Sequence, residues 1–275
     1  MKLFDSHCHL QDEKLLARID DVLARARQAG VQGFCCCGAS ESDWPAVQDL
    51  ASRFKDIVPA FGLHPWYVAD RTSDWRSALR RHLDSRPDAG VGEIGLDHAI
   101  RDRDDKDQVA VFTEQLRIAK ELNRFVSIHC RRAWDVMPGL LKEVGTPPAG
   151  FVIHSFSGSS EMVKPLAELG AYFSFSGSIT FHRNKRGHAA AMAAPLERLL
   201  IETDAPDLMP VISPSPRPSP AGGEGADKDK PNEPANIVYV LRKLAGLKGL
   251  PEEALAEQVW KNAARIFFQR ETVKE

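Results

Sequence analysis

The sequence predicts an α/β fold of the (β/α)8 class, a TIM barrel. Eight short apolar segments recur along the chain, and segments with the helical spacing of apolar residues separate most of them. A length of 275 residues is enough for one large core. Because strands joined through helices pair in parallel, eight such units favour a closed barrel.

The eight predicted strands are short runs of apolar residues. They cover residues 3–7, 33–37, 57–62, 90–94, 125–129, 151–154, 171–175 and 199–202. An open doubly wound sheet is the structural alternative, and it would place a glycine-rich phosphate-binding turn after the first strand. The chain has Asp5-Ser6-His7-Cys8-His9 there, which favours the barrel.

The predicted helices follow from apolar residues at i, i+3 and i+4. One helix over 15–26 ends before Gly30, and another covers 109–122. Between the sixth and seventh strands, Ser159 or Ser160 is positioned to cap a helix that ends at Gly170. Segments 235–247 and 251–269 are predicted to close the fold as helices.

The expected organisation is a single hydrolase domain over 1–275 that contains one insert. Residues 211–231 are rich in Pro, Gly, Ser and charged residues. Such a segment buries too little apolar surface to offset the entropy lost on ordering, so disorder is expected there.

The composition of the chain limits where the protein is expected in the cell and what it is expected to bind. Lys and Arg number 36 against 38 Asp and Glu, which argues against coating nucleic acid by bulk charge. No secretion signal or membrane-length apolar run is visible. Five cysteines, three of them consecutive, do not indicate a disulfide framework. We expect a cytoplasmic protein with no membrane association and infer no obligate protein partner.

Six potential metal ligands fall at the carboxyl ends of predicted strands, where barrel active sites are assembled. They are His7, His9, Glu93, His129, His154 and Asp204. Each alone could be a packed or solvated side chain, but six at strand ends favour a metal site. Six exceed one tetrahedral site, so two divalent ions are expected, with Glu93 the candidate bridge. The sequence does not select among Zn²⁺, Mg²⁺, Mn²⁺ and Ni²⁺ as the identity of these ions.

Six motifs in order carry a family resemblance from about residue 3 to 270, outside the insert. They are Asp5-Ser6-His7-Cys8-His9, Gly62-Leu63-His64-Pro65, Gly92-Glu93-Ile94-Gly95-Leu96-Asp97, Ile128-His129-Cys130-Arg131, Ile153-His154-Ser155-Phe156-Ser157-Gly158 and Glu202-Thr203-Asp204-Ala205-Pro206. The chain resembles the TatD family of metal-dependent deoxyribonucleases, within the amidohydrolase superfamily. The resemblance implies His7, His9 and Asp204 on one metal, His129 and His154 on the other, and Glu93 between them.

The chain departs from this family at three places, none of them a proposed ligand. Many relatives have a second His after His-Pro, where this chain has Trp66. Many have Tyr after Gly-Leu-Asp, where it has His98. The family's Arg-Gly-x-x-Asn-x-Pro stretch survives only as Asn232-Glu233-Pro234. These differences bear on the substrate.

The expected chemistry is hydrolysis by a metal-activated water. Asp204 is the expected base and Glu93 the bridge, and these two are the predicted catalytic residues. Substrate contacts are predicted at His64, Arg131 and Ser157, with Arg131 on a phosphate and Ser157 before a helix N-terminus that favours anions. A buried structural histidine is the alternative for His64.

The leading function is a TatD-type deoxyribonuclease that hydrolyses DNA phosphodiesters in the 3′-5′ direction, on single strands or 3′ ends. One alternative keeps the metals but cleaves a carboxylic ester or amide, as a D-aminoacyl-tRNA deacylase does. A second alternative is a metal-binding scaffold without turnover. Intact Glu93 and Asp204 argue against the scaffold.

Overall fold

The computed structural model describes residues 1–212 and 230–268, and its eight parallel strands follow sequence order around one sheet. The predicted barrel is confirmed. The strands are β1 (Leu3–Cys8), β2 (Val31–Cys37), β3 (Ile57–Phe61), β4 (Gly90–Asp97), β5 (Val126–Arg131), β6 (Phe151–Ile153), β7 (Ala171–Phe175) and β8 (Leu199–Ile201). The helices are α1 (Glu13–Leu16), α2 (Ile19–Gln28), α3 (Trp44–Arg53), α4 (Trp75–Ser85), α5 (Asp105–Glu121), α6 (Met137–Val144), α7 (Ser160–Glu168), α8 (Lys185–Ala193), α9 (Ile237–Lys248) and α10 (Glu252–Phe267).

The chain just beyond β8 joins the barrel to β1. Asp204 N donates to His7 O at 3.0 Å, and His9 N donates to Ala205 O at 2.7 Å. The buried Asp5 carboxyl group accepts from Thr203 N at 2.9 Å and from Thr203 Oγ1 at 2.5 Å. The closure of the barrel therefore also fixes the backbone of Asp204.

An apolar layer fills the amino-terminal end of the barrel. Phe4 of β1 stacks on Phe267 of α10, with ring centroids 4.7 Å apart. Ile266 and Ala263 of the same helix belong to this buried cluster, together with Leu200 of β8. The last helix therefore plugs one end of the barrel with the inner face that its spacing predicts, and the polar chemistry lies at the opposite end.

Two predicted helices differ in detail. The first is broken at Ala17 and Arg18, where Arg18 has φ −134° and ψ 30°. Leu15 and Ile19 are buried on both sides of the break, because apolar spacing specifies the buried face and not an unbroken backbone. Ser159 occupies the N-cap position of α7, but its side chain makes no capping hydrogen bond.

The predicted disorder of 211–231 lies largely outside the described residues, since 213–229 are not described. Hydrogen bonds hold the chain that follows this segment at Asn232 and Glu233. The buried Asn232 donates to Thr203 O and Asp207 O, both at 2.9 Å. Glu233 accepts two hydrogen bonds from Arg25, at 2.7 and 3.0 Å. Within 1–212 and 230–268, no helix is both long and apolar enough to cross a membrane.

Candidate metal centre

Two irregular strand pairings direct the key side chains into the barrel. Asp5 and Cys8 of β1 pair with Phe34 and Cys36 of β2, so β1 carries one extra residue between its pairing points. Such a bulge re-aims side chains. His7 consequently reaches across the barrel, and its Nδ1 lies 2.9 Å from Ser127 Oγ of β5.

The second irregularity surrounds Glu93. Val91 and Ile94 of β4 pair with Val126 and Ile128 of β5, which again leaves one extra residue in β4. Glu93 N donates to Gly38 O at 2.7 Å, so the bulged backbone is tied to the end of β2. Farther along β4, a Cβ on Gly95 would lie 1.9 Å from His129 O. Only glycine permits this close approach of the two strands that carry Glu93 and His129.

The two oxygens of Glu93 face two different sets of imidazoles. Oε2 lies 3.2 Å from His7 Nε2 and 3.4 Å from His9 Nε2. Oε1 lies 2.9 Å from His129 Nδ1 and 2.8 Å from His154 Nε2. One buried carboxylate therefore stands between two pairs of imidazole nitrogens.

Asp204 completes the first set. Its Oδ1 lies 3.5 Å from His9 Nε2 and 3.8 Å from His7 Nε2. The backbone of Asp204 has φ +54°, a left-handed conformation that Asp tolerates better than most residues. Donor atoms of His7, His9 and Asp204 all lie within 4.8 Å of one another, as do those of His7, Glu93 and His154.

The outer nitrogen of each imidazole faces a polar group, which is the usual arrangement for histidines that bind metals. His9 Nδ1 lies 2.8 Å from Cys37 O. His129 Nε2 lies 3.4 Å from Asp97 Oδ2, and His154 Nδ1 lies 3.5 Å from Glu202 Oε1. These partners orient the rings so that the inner nitrogens converge on Glu93.

The electrostatics of the cluster favour a cation. Burial opposes ionisation of Glu93, but the charges of His154 and His7 outweigh it and hold the pKa of Glu93 well below its ordinary value. Burial likewise lowers the pKa of His154, yet Glu93 and Glu202 raise it well above normal. Ionised carboxylates that draw protons onto imidazoles would equally attract a divalent ion. The donor set of imidazole and carboxylate therefore fits transition metals.

The three predicted substrate contacts lie at different distances from this cluster. His64 is buried, with Nε2 3.3 Å from Glu93 Oε1. Burial lowers its pKa to about 4, which keeps this imidazole neutral. Arg131 is exposed, and its Nη1 lies 4.0 Å from Asp97 Oδ2. Ser157 is exposed on the loop after β6 and donates weakly to Cys130 O at 3.5 Å.

Sequence reasoning missed Ser127 and Glu202 as partners of His7 and His154. Ser127 stands two residues before His129 on β5, so strand alternation could have placed both on the inner face. Glu202 stands two residues before Asp204 and follows β8 directly. The signal available in the sequence was an acidic residue two positions before the predicted ligand Asp204.

Comparison with known proteins identifies the family. A family model described as "TatD related DNase" matches residues 4–268. The chain belongs to the TatD-related DNase family. It is 32% identical to the "Uncharacterized metal-dependent hydrolase YabD" of Bacillus subtilis, over 96% of this chain and 98% of that protein. It is 31% identical to the "3'-5' ssDNA/RNA exonuclease TatD" of Pantoea ananatis, over 96% of this chain and 99% of that protein.

A solved structure agrees with this assignment. The TatD homologue YJJV of Escherichia coli superposes with a TM-score of 0.87 at 29% identity, covering 98% of each chain. Membership of the TatD family confirms the prediction of a metal-dependent hydrolase. The assignment of individual side chains as ligands stays a prediction.

Proposed function

We propose that this TatD-family hydrolase is a two-metal phosphodiesterase that shortens single-stranded DNA from the 3′ end. The observation that carries the proposal is the position of Glu93 between two pairs of imidazoles, with Oε2 toward His7 and His9 and Oε1 toward His129 and His154. A carboxylate in that position would offer one oxygen to each of two ions, and a pair of ions would suit in-line displacement at phosphorus.

The proposed ligands are His7, His9 and Asp204 for one ion, His129 and His154 for the other, and Glu93 for both. Bound divalent ions supply Lewis acidity, which polarises a phosphoryl oxygen and makes water a better nucleophile near neutral pH. Zn²⁺, Mg²⁺, Mn²⁺ and Ni²⁺ all stay candidates, because imidazole and carboxylate together do not select one of them.

The side chains supply the rest of the chemistry. Asp204 accepts the proton of the attacking water at a carboxylate oxygen, and its lowered pKa keeps it ionised at neutral pH. Burial opposes this ionisation, but the hydrogen bond with His9 and the charges of His154 and His7 outweigh it. Asp97 and Glu202 orient His129 and His154, while Arg131 provides an exposed cation for a substrate phosphate.

The substrate class draws on one relative. The Pantoea ananatis protein, matched over nearly the whole of both chains, is named a 3′-5′ exonuclease of single-stranded DNA and RNA. The site also supports a nucleic-acid substrate. Arg131 is an exposed cation beside Asp97 at the rim of the cluster, where it can pair with a phosphate.

The test is turnover of a 5′-labelled single-stranded oligonucleotide with each candidate metal. We expect a ladder that shortens from the 3′ end, abolished by chelator, and at least ~10²-fold lower kcat in Glu93→Gln and Asp204→Asn. An inverted 3′-terminal nucleotide should block the ladder. Release of the amino acid from D-aminoacyl-tRNA, with the oligonucleotide left intact, would contradict the proposal in favour of ester hydrolysis.

A further inference from the structure

Trp66 presents an exposed aromatic ring beside the metal centre. It lies on the short turn Pro65–Tyr67 that follows β3, and the residue is 53% exposed. An aromatic ring exposed at the rim of a polar site offers a π face on which a nucleobase can stack.

The indole is held in one orientation by its polar edge. Its Nε1 donates to Asp97 Oδ2 at 2.8 Å, and Asp97 is fully buried. The ring also stands edge-on to His64, with centroids 5.0 Å apart and planes at 89°. Because the edge is anchored, little side-chain entropy remains to be lost when a ligand packs on the ring.

The contacts of Asp97 connect Trp66 to the reacting centre. Asp97 Oδ2 lies 3.4 Å from His129 Nε2, whose Nδ1 faces Glu93. The same oxygen lies 4.0 Å from Arg131 Nη1. A flat apolar surface and an exposed guanidinium thus share one anchor at the rim of the cluster. An aromatic face can stack a nucleobase, and a guanidinium can pair with a phosphate.

We propose that Trp66 is the stacking platform for a nucleobase next to the scissile phosphodiester. The inference rests on the proposed nuclease function and names the part of the substrate that this site recognises. Stacking on an aromatic ring is tolerant of base identity, because every base offers a π face. Trp66 therefore confers preference for a nucleic acid with a base at this position, and no preference for sequence.

A purely architectural role predicts a different pattern. If Trp66 acted only as the donor to Asp97, its loss would lower hydrolysis of every substrate by the same factor. A stacking role predicts a loss confined to substrates that carry the base. Trp66→Phe separates the two roles further, because it keeps an aromatic face and removes the N–H donor.

The experiment compares two single-stranded oligonucleotides that differ only in the two 3′-terminal nucleotides, which are abasic in one of them. For the wild type we expect kcat/KM about ten-fold lower on the abasic substrate, the scale of one lost stack. Trp66→Ala should lose about ten-fold on the base-bearing substrate, mainly through KM, and should erase the difference between the two. Trp66→Phe should keep most of the difference.

The control is Met192→Ala, which removes an apolar side chain of similar exposure, 55%, at the far end of α8. It should leave both rates unchanged. Equal losses by Trp66→Ala on both substrates would overturn the stacking proposal while leaving the nuclease proposal intact. A wild type that cleaves the oligonucleotide but ignores the abasic change would do the same. A wild type that cleaves neither oligonucleotide would contradict the nuclease proposal itself.

Discussion

At the scale of single residues, the arrangement of the centre depends on side chains that stand behind the proposed ligands. Strict alternation from the inward-facing Phe4 would send Ser6 and Cys8 inward on β1 and His7 outward. The bulge between Asp5 and Cys8 brings His7 inside instead. The residue types of the proposed ligands and their place at strand ends could be read from the sequence. The bulges at His7 and Glu93 could not, because a register shift depends on the neighbouring strand.

The partner of His154 provides the first test at this scale. Glu202→Gln keeps the shape of the side chain but removes the charge that faces His154 Nδ1 at 3.5 Å. Partners of this kind are worth about 10–100-fold in metal affinity. We expect metal to dissociate that much more readily, measured by chelator competition, with little change in melting temperature of the metal-free protein. Glu197→Gln, an exposed acid before β8, is the matched control. Identical affinities in the two variants would remove Glu202 from the centre.

Asp5 supplies a pH prediction. Burial raises the pKa of Asp5 to about 8, although hydrogen bonds from Thr203 oppose the rise. The unfolded carboxyl ionises near pH ~4. Between these values the unfolded chain has released a proton that the native chain retains, so this group's contribution to stability falls as the pH rises from about 4 to about 8.

Asp5→Asn removes this ionisation and keeps an oxygen for Thr203 N. The melting temperature of chelator-treated Asp5→Asn should therefore fall less than that of the wild type between pH 5 and pH 9. Asp49→Asn, on the outer helix α3, should follow the wild type. Parallel curves for Asp5→Asn and the wild type would show that Asp5 is ionised in the native barrel.

At the scale of elements, apolar spacing predicted the eight strands and the buried faces of the closing helices. It did not predict where helices break, as the turn at Arg18 shows. The hydrogen bonds that hold the chain after β8 could not be predicted from the sequence either. Asn232 contacts the backbone of Thr203 and Asp207, which are separated from it by the long insert in the sequence.

Helix α10 offers a test of the packing. Phe267 is 4% exposed and stacks on Phe4 of β1. Phe267→Ala should lower the free energy of unfolding by about 3–5 kcal/mol, the usual cost of emptying an aromatic site in a core. Denaturant titration measures the change. Phe267→Leu should recover much of it, since a leucine refills part of the volume. A loss below about 1 kcal/mol for Phe267→Ala would mean that α10 does not seal the barrel.

The insert can be tested by shortening it. Because Asn232 and Glu233 hold the returning chain, replacing residues 213–229 with a short Gly-Ser link should leave the barrel and its centre in place. Loop length itself costs only about 0.6 kcal/mol per doubling. We expect small changes in melting temperature and kcat/KM. A ten-fold loss of kcat/KM, about 1.4 kcal/mol, would instead assign the segment a working role over the substrate.

At the scale of the whole molecule, the fold gathers side chains from β1, β4, β5 and β6 and from the loop after β8 at one end of the barrel. The opposite end is sealed by apolar side chains. The position of the polar cluster at one end of the barrel was predictable from the sequence, because parallel strands present the proposed ligands at their carboxyl ends on one face. The substrate was less predictable, since the proposed base contact Trp66 lies on a turn after β3 and not on a strand.

The central claim is that Glu93 stands between two divalent ions. Anomalous difference maps from crystals grown with Mn²⁺ or Zn²⁺ test it most directly. The account predicts two peaks, one among His7, His9 and Asp204 and one between His129 and His154, with Glu93 contacting both. A single peak, or two peaks of which neither contacts Glu93, would contradict it.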